Sequence, residues 1–316
     1  MNILRNAEYI FGPVPSRRLG RSLGVDLVPF KTCSFDCIFC QLGRTTSKTM
    51  ERREYVPVDN VIRELADWLR LDEAADYITL AGSGEPTLNT RFADVIDFVH
   101  ASCDIPVALL TNGTTLSDPA VLDQAARADL VKVSLSAWDQ ASLQRVNRPC
   151  EGITLAGIVD GQRRFRQEFP GELWLEVFLV DEINAAHDDV LRIANIVRTI
   201  NPDRVHLNTA VRPPAEEYAY ALDRDALEAK TGLFDPPAEI AAEFSTDRSG
   251  PIRTTEASIF FMLQRRPCTS AQIAEVFSLH LNTVSKYIGK LLRTNRIRAD
   301  TRDGEVYYTA REQPRP

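Results

Sequence analysis

The feature that most constrains the fold is a repeated alternation of short apolar runs with longer amphipathic segments. Six short runs have the pattern of strands, at residues 22–29, 77–81, 107–110, 130–135, 173–180 and 204–207. Helical periodicity separates them, at residues 58–71, 91–101, 119–128, 153–169 and 188–199. Such strict alternation predicts an α/β fold with parallel strands and right-handed crossovers, either an open doubly wound sheet or a complete or partial barrel.

Polar clusters follow the first three of these strands. A cysteine-rich segment follows the first strand, Gly82-Ser83-Gly84-Glu85-Pro86 follows the second, and Thr111-Asn112-Gly113 follows the third. In both candidate architectures, functional sites lie at the carboxyl ends of the strands. We therefore expect these three clusters to meet at one site.

The overall composition is that of a soluble globular protein. The 316 residues carry a formal net charge of −7, and 44% of them are hydrophobic, which suits one large domain or two smaller ones. No run approaches about 20 apolar residues, and the first residues do not resemble a secretory signal, so we expect a cytoplasmic protein without membrane contact. Six cysteines in such a protein are not expected to form a disulfide framework.

The charge is unevenly distributed. Residues 252–316 contain 11 Lys and Arg against 6 Asp and Glu, so this end is basic while the rest of the chain is acidic. We predict helices at 254–264, 271–277 and 283–294, then two strands around Asp303-Gly304, a hairpin signal. This order resembles a winged helix-turn-helix domain. Such a domain binds nucleic acid or peptide, and the residues predicted to contact nucleic acid on its third helix are Lys286, Lys290 and Arg293.

We accordingly divide the chain into three parts. Residues 1–211 form the α/β domain, residues 212–251 are a proline-containing connecting segment with one helix near 238–244, and residues 252–316 form the winged-helix domain.

Three cysteines lie within eight residues, at Cys33, Cys37 and Cys40. Their thiolates are close enough in sequence to hold one metal centre. A closed zinc site needs a fourth ligand, and no histidine lies nearby, whereas an iron–sulfur cubane held by three thiolates leaves one iron open to an exogenous ligand. Zinc and three unrelated buried cysteines remain as alternatives.

The spacing C-x3-C-x2-C, placed after the first strand of a βα array, resembles the signature of the radical S-adenosylmethionine (SAM) superfamily. The resemblance implies a partial (βα)6 barrel and makes Cys33, Cys37 and Cys40 the metal-binding and catalytic residues. It implies a [4Fe–4S] cluster whose open iron binds SAM and which cleaves it reductively to a 5′-deoxyadenosyl radical. It also implies an electron donor such as flavodoxin or ferredoxin.

Further site residues carry over from the resemblance by position. Phe39 matches an aromatic residue whose backbone contacts adenine, although core packing would also explain it. The segment from Gly82 to Glu85 matches one associated with the amino end of SAM, with Ser83-Gly84 where Gly-Gly is usual. The remaining cofactor-binding candidates, each with a packing or turn role as its alternative, are Asn112, Ser134, Ser136 and Asn208.

Residues 12–57, including GPVPSRRLGRSLGVDLVP and CQLGRTT, resemble the radical SAM proteins related to wyosine-forming tRNA enzymes. The substrate does not carry over, because the chain shows no second cysteine triad. Arg17 and Arg18 are candidates for substrate recognition, or else part of a solvated surface run. The expected function is a radical SAM enzyme acting on RNA, peptide or a metabolite; the alternative is an iron–sulfur sensor that binds DNA, which would need neither Glu85 nor a full barrel.

Overall fold

The computed structural model describes residues 7–16, 18–71, 73–211, 213–240, 256–265, 267–277, 279–302 and 304–311. The strands of residues 7–240 are β1 (Ile10–Ser16), β2 (Gly20–Val25), β3 (Thr32–Cys33), β4 (Ser47–Lys48), β5 (Tyr77–Leu80), β6 (Val107–Leu110), β7 (Leu130–Ser134), β8 (Glu172–Phe178), β9 (Arg204–Asn208) and β10 (Glu239–Ile240). Eight of them form one mixed sheet in the order β1-β2-β5-β6-β7-β8-β9-β10, and β3 pairs separately with β4.

The six predicted strands are all present in this sheet as consecutive parallel neighbours, β2 and β5 to β9. The largest difference is in the first, predicted to reach residue 29, which ends at Val25 before the chain turns toward the cysteines. The sheet also gains an antiparallel edge strand, β1. Its sequence hides it, because Pro13 and Pro15 break the strand pattern; edge strands tolerate proline, which cannot donate to the ladder.

The helices of residues 7–240 are α1 (Val58–Leu69), α2 (Phe92–Ser102), α3 (Pro119–Ala125), α4 (Gln140–Val146), α5 (Leu155–Glu168), α6 (His187–Ile200) and α7 (Arg224–Thr231). Within the described residues, no helix is long and apolar enough to cross a membrane.

Alternation along the parallel strands separates a packed face from an open one. Val131 and Val133 of β7 are buried in the main hydrophobic core, whereas Lys132 between them lines a cavity on the other face. Because side chains alternate along a strand, the same strands build the core and the cavity wall. The cavity therefore lies on the face of the sheet opposite the main core.

The predicted connecting segment is more ordered than expected. The helix predicted near 238–244 is wrong in its first residues: Glu239 and Ile240 form β10 and pair with β9, while residues 241–244 lie outside the described part. The helix of this segment is α7 instead, which begins where the Asp223 side chain accepts a hydrogen bond from the Ala226 amide. Residues 213–240 thus extend the sheet and contribute Leu227 to the main core.

The C-terminal part has its own core. It contains α8 (Glu256–Arg265), β11 (Cys268–Thr269), α9 (Ser270–Val276), α10 (Leu281–Arg293), β12 (Ile297–Arg302) and β13 (Glu305–Ala310). The three strands form an antiparallel sheet in the order β11-β13-β12. A separate apolar cluster lies between helices and sheet, including Ile259, Leu263, Ile273, Val284 and Ile288.

Candidate metal centre and cavity

The three cysteines lie on the loop that follows β2, which we call the cysteine loop (residues 31–42). Cys33 ends the short strand β3, and the amide of Cys40 donates to the carbonyl of Cys37 over 3.1 Å. The loop is tied to the C-terminal end of α4, because the amide of Ile38 donates to the carbonyl of Val146. Backbone pairing thus fixes the loop over the carboxyl ends of the strands.

Amide groups point at two of the thiols. The side-chain amide of Asn147 donates to Sγ of Cys37 over 3.2 Å, and that of Asn112 lies 3.6 Å from Sγ of Cys33. The Asn112 amide also donates to the Ser34 hydroxyl over 2.8 Å. Hydrogen bonds to sulfur stabilise thiolates and help to set the potential of iron–sulfur clusters.

Burial raises the pKa of all three loop thiols, and it raises that of Cys33 to about 12, with the Glu85 carboxylate adding to the shift. The cysteines are therefore protonated near neutral pH unless a positively charged group joins them. A bound metal centre supplies that charge and deprotonates coordinating thiols. The donor set, three half-buried thiols of which two are approached by side-chain amides, fits an iron–sulfur cluster.

A single-ion site fits less well. Across the described part of the chain, no three His, Cys, Asp or Glu side chains converge closely enough to hold one metal ion. A structural zinc site needs four ligands arranged around one point. The geometry therefore disfavours the zinc alternative for these cysteines.

The segment after β5 packs directly against the cysteine loop. The Glu85 amide donates to the Thr32 carbonyl over 3.0 Å, and a Cβ on Gly84 would lie 1.8 Å from that carbonyl oxygen. Gly82 has a φ of +142°, and a Cβ there would lie 1.9 Å from Oδ1 of Asp26, which accepts from the Ser83 amide. Only glycine permits these approaches, so the structure explains why the segment reads Gly-Ser-Gly.

The Glu85 side chain faces inward and is 2% exposed. Its oxygens accept hydrogen bonds from the hydroxyls of Thr87 and Thr111 and from the Asn112 amide, over 2.6–2.7 Å. Burial raises its pKa, while these donors oppose the shift. The carboxylate thus joins the ends of β5 and β6 beside Cys33, and it is not among the residues that line the cavity.

A cavity of about 460 Å³ opens beside the cysteine loop. The Phe39 ring, stacked on the Phe178 ring at a centroid distance of 3.9 Å, forms part of its wall. Of the other predicted site residues, those that line the cavity are Cys40, Gly82, Asn208 and Arg18.

Besides Gly84 and Glu85, four predicted cofactor residues do not line it. Ser83 packs beneath the cysteine loop, where its carbonyl accepts from the Lys31 amide, and Asn112 contacts Cys33. Ser134 ends β7, and the buried hydroxyl of Ser136 accepts from the Phe178 amide. The packing alternative thus has support at Ser136, whose hydroxyl is already engaged.

Deeper in the cavity lies a group that we call the charged layer: Arg18, Lys132 and Glu176. Oε2 of Glu176 lies 2.7 Å from Nη1 of Arg18, and Oε1 lies 3.1 Å from Nζ of Lys132. Although burial works in the opposite direction, these two cations hold the pKa of the Glu176 carboxyl well below its ordinary range. Burial, helped by the Arg18 charge, lowers the pKa of the neighbouring His206 to about 3, so this imidazole is neutral.

Sequence reasoning missed Lys132 and Asn147. Lys132 stands inside an otherwise apolar strand, the same signal that Glu176 gives in β8, and pairing the two strands would have brought them together. Nothing in the sequence around Asn147 marks it as a partner of Cys37, because that contact depends on how the chain after α4 crosses the loop.

The basic candidates of the C-terminal part lie elsewhere. Lys286, Lys290 and Arg293 are exposed on α10, and Lys290 forms an ion pair with Glu256 of the same part. Arg17 lies outside the described residues. Among the other cysteines, Cys150 comes near the cysteine loop, with its amide donating to the Ser34 carbonyl, whereas Cys268 is buried in the C-terminal core.

Comparison with known proteins agrees with this geometry. The family model described as the radical SAM superfamily matches residues 27–196, more than half of the chain. The chain is 37% identical over 305 residues to a protein named GTPase Obg from Brachyspira hyodysenteriae, covering 95% of this chain and 45% of that protein. It is 35% identical over 210 residues to a UPF0026 protein of Methanocaldococcus jannaschii, covering 66% of this chain and 65% of that protein.

A solved structure shares the fold. A radical SAM methyltransferase from Sphaerobacter thermophilus superposes with a TM-score of 0.53 and 16% identity, over 72% of this chain and 68% of that chain. This chain spans about half to two thirds of the length of the relatives from Brachyspira hyodysenteriae and Methanocaldococcus jannaschii.

The family match confirms the predicted cofactors, because the superfamily uses a [4Fe–4S] cluster and SAM. It also accounts for a triad of half-buried cysteines on a loop at the carboxyl ends of parallel strands. This chain belongs to the radical SAM superfamily.

Proposed function

We propose that this protein is a radical SAM enzyme that cleaves SAM reductively and modifies a substrate bound in its cavity. The observation that carries the proposal is the triad of half-buried cysteines beside a cavity lined by Cys40, Phe39 and Gly82. When bound, the cluster supplies the electron that cleaves SAM and generates a 5′-deoxyadenosyl radical.

In this proposal each part of the site has a role. Cys33, Cys37 and Cys40 would hold the cluster, with Asn112 and Asn147 donating to two of the sulfurs. The residues proposed to hold SAM are Phe39 at adenine, the backbone of Gly82–Gly84 at its amino end, and Asn112, Ser134, Ser136 and Asn208 around it. The buried hydrogen bonds of Glu85 favour an indirect role, in which it positions the Asn112 amide and the loop rather than contacting SAM.

We further propose a partial (βα)6 barrel with closer kinship to the wyosine-related group. Support comes from the six parallel strands and from residues 12–57, and the proposed substrate classes are RNA, peptide and metabolite.

The proposed domain boundary lies after residue 240, because residues 213–240 pack on the first part. An electron donor such as flavodoxin or ferredoxin in the cytoplasm would supply electrons.

For residues 256–311 we propose a winged-helix domain. Three helices, a three-stranded sheet and a separate core support it. The exposed side chains of Lys286, Lys290 and Arg293 suit contact with phosphate groups, and an exposed surface of this kind also suits peptide. This surface is also what the alternative function, a DNA-binding iron–sulfur sensor, would use.

The test is anaerobic reconstitution with iron and sulfide, followed by dithionite and SAM. We expect 5′-deoxyadenosine from the native chain and none above background from Cys37→Ala. Cys103→Ala is the matched control, because Cys103 lies at the C-terminal end of α2, packs against the main core and contacts the Val99 carbonyl through its thiol. A redox-dependent affinity for DNA without 5′-deoxyadenosine would instead favour the sensor.

A further inference from the structure

The charged layer is built by three separate elements. Arg18 comes from the turn between β1 and β2, Lys132 from the middle of β7, and Glu176 from β8. One carboxylate is shared by the two cations, and the Asn208 amide approaches it at 3.4 Å. Strand register brings Glu176 beside Ser134 and His206, and Arg18 precedes the amino end of β2, so the layer lies on the side of the cavity away from the cysteine loop, which we call its inner end.

The layer carries one positive charge in excess. Glu176 is the one acidic side chain among the cavity-lining residues that the structure describes, while Arg18 and Lys132 both line it. His206 adds no charge, because burial keeps it neutral. All three charged side chains are about 85% buried, and a buried charge without a counter-ion is costly.

Arg18 also has hydrogen-bonding capacity to spare. Its Nη1 contacts Glu176, but Nε and Nη2 are buried and have no hydrogen-bond partner among the described residues. Nδ1 of His206 is likewise buried and has no hydrogen-bond partner among the described residues. Since buried donors are nearly always paired in folded proteins, these groups mark a place where a further acceptor is accommodated by a small turn of the guanidinium.

We propose that Arg18 and Lys132 bind a carboxylate group of the substrate at the inner end of the cavity. The inference rests on the proposed function, in which this cavity receives the substrate. One surplus charge matches a singly charged carboxylate better than a phosphate dianion, and the guanidinium fork fits a carboxylate in two hydrogen bonds. Glu176 holds the two cations in place and limits the site to one negative charge.

The experiment uses the full-length chain and measures thermal stabilisation by acetate, replacing chloride at constant ionic strength. A ligand that binds only the folded protein stabilises it by RT ln(1 + [L]/Kd) and so raises Tm, and the dependence of Tm on acetate concentration yields an apparent Kd. The variants are Arg18→Met, Lys132→Met and Glu176→Gln. The matched control is Arg163→Met, which removes an exposed guanidinium on α5. Inorganic phosphate is titrated in parallel.

We expect acetate to bind the native chain and Arg163→Met equally, and to bind Arg18→Met and Lys132→Met about tenfold more weakly, the loss of one charge-assisted hydrogen bond. Glu176→Gln should bind acetate several-fold more tightly, because the excess charge rises to two. If Glu176→Gln does not fold, the two cation variants decide. Equal acetate effects in all variants, no acetate effect in the native chain, or binding of phosphate alone would overturn the inference.

This outcome is separable from that of the proposed function. Acetate binding needs neither reductant nor SAM, whereas 5′-deoxyadenosine formation does. Acetate binding without SAM cleavage would leave the carboxylate site standing and remove the radical enzyme; SAM cleavage without acetate binding would do the reverse.

Discussion

Among the predicted site residues, Glu85 differs most from the role that the sequence suggests for it. Its carboxylate is enclosed by Thr87, Thr111 and Asn112 and faces the inside of the fold. The sequence shows a glutamate between glycine and proline, which is compatible with a ligand contact or a solvated turn. Thr111 and Asn112, which donate two of the hydrogen bonds to the Glu85 carboxylate, follow β6. These contacts could therefore not be predicted from the segment around Glu85 itself.

Replacing Glu85 with Gln tests this arrangement. The amide nitrogen would face the same donors that the carboxylate oxygen now accepts from, so we expect about 2–3 kcal/mol lower stability in urea unfolding. Glu151→Gln, at an exposed carboxylate, should change stability by less than about 0.5 kcal/mol. Native stability in Glu85→Gln together with lost SAM binding would show instead that the carboxylate serves the cofactor directly.

The charged layer shows what single residues can and cannot reveal. Glu176 and Lys132 are each conspicuous as charges inside apolar strands, and Arg18 belongs to a basic run. Each is also explained by an ordinary surface or structural role. Their meeting depends on strand order and register, which emerge only when the sheet is assembled.

At the scale of elements, the parallel βα units were the most predictable part. Their strands are buried on one face and flanked by long amphipathic helices, so both periodicities are strong. The elements that escaped prediction lack that signal: β1 contains two prolines, and α4 has only seven residues. α7 lies in a segment whose prolines suggested irregular chain.

The segment leading to α7 also fastens the cysteine loop. The Glu216 amide donates to the Ile38 carbonyl, and its carboxylate pairs with Arg44 and Arg148. Hydrogen bonds from Arg44, which has the larger effect, and from Arg148 hold the pKa of Glu216 below its ordinary value. A carboxyl with a depressed pKa in the folded state stabilises the fold above its unfolded pKa of about 4.3 and ceases to do so as pH falls through the folded value.

Glu216→Gln should therefore lower Tm by about 2–4 °C at pH 7. The difference from the native chain should begin to shrink as the pH falls below the unfolded pKa of about 4.3 and should vanish once the native carboxyl is protonated at lower pH. Glu217→Gln, at the exposed neighbouring residue, is the matched control and should have little effect. A Tm difference that is constant from pH 7 to pH 3 would contradict the ion-pair role. Scanning calorimetry across this range makes the measurement.

At the scale of the whole molecule, two cores meet near the cavity. The C-terminal core is separate from the main one, yet Met262 of α8 lines the cavity, and α8 packs against β1. The charge pattern of the sequence predicted a distinct C-terminal part. It gave no sign that this part closes the cavity wall, because such packing depends on surfaces from both cores.

A chain ending at residue 240 tests this role of the C-terminal part. The hydrogen bonds that hold Cys33 and Cys37 lie within residues 7–240, so we expect cluster assembly with unchanged iron content. Without α8 the cavity is open at Met262, and we expect the cluster absorbance to bleach several-fold faster in air. Loss of iron from the shortened chain would show that the two parts do not fold independently.

The central claim is that three thiols hold a cluster whose remaining iron binds SAM beside the cavity. The most direct measurement is electron–nuclear double resonance on the dithionite-reduced protein with SAM labelled with ¹⁵N in its amino group. A hyperfine coupling between that nitrogen and the cluster is predicted for the native chain and for Cys103→Ala. A reduced cluster that shows no such coupling with SAM at saturating concentration would contradict the account.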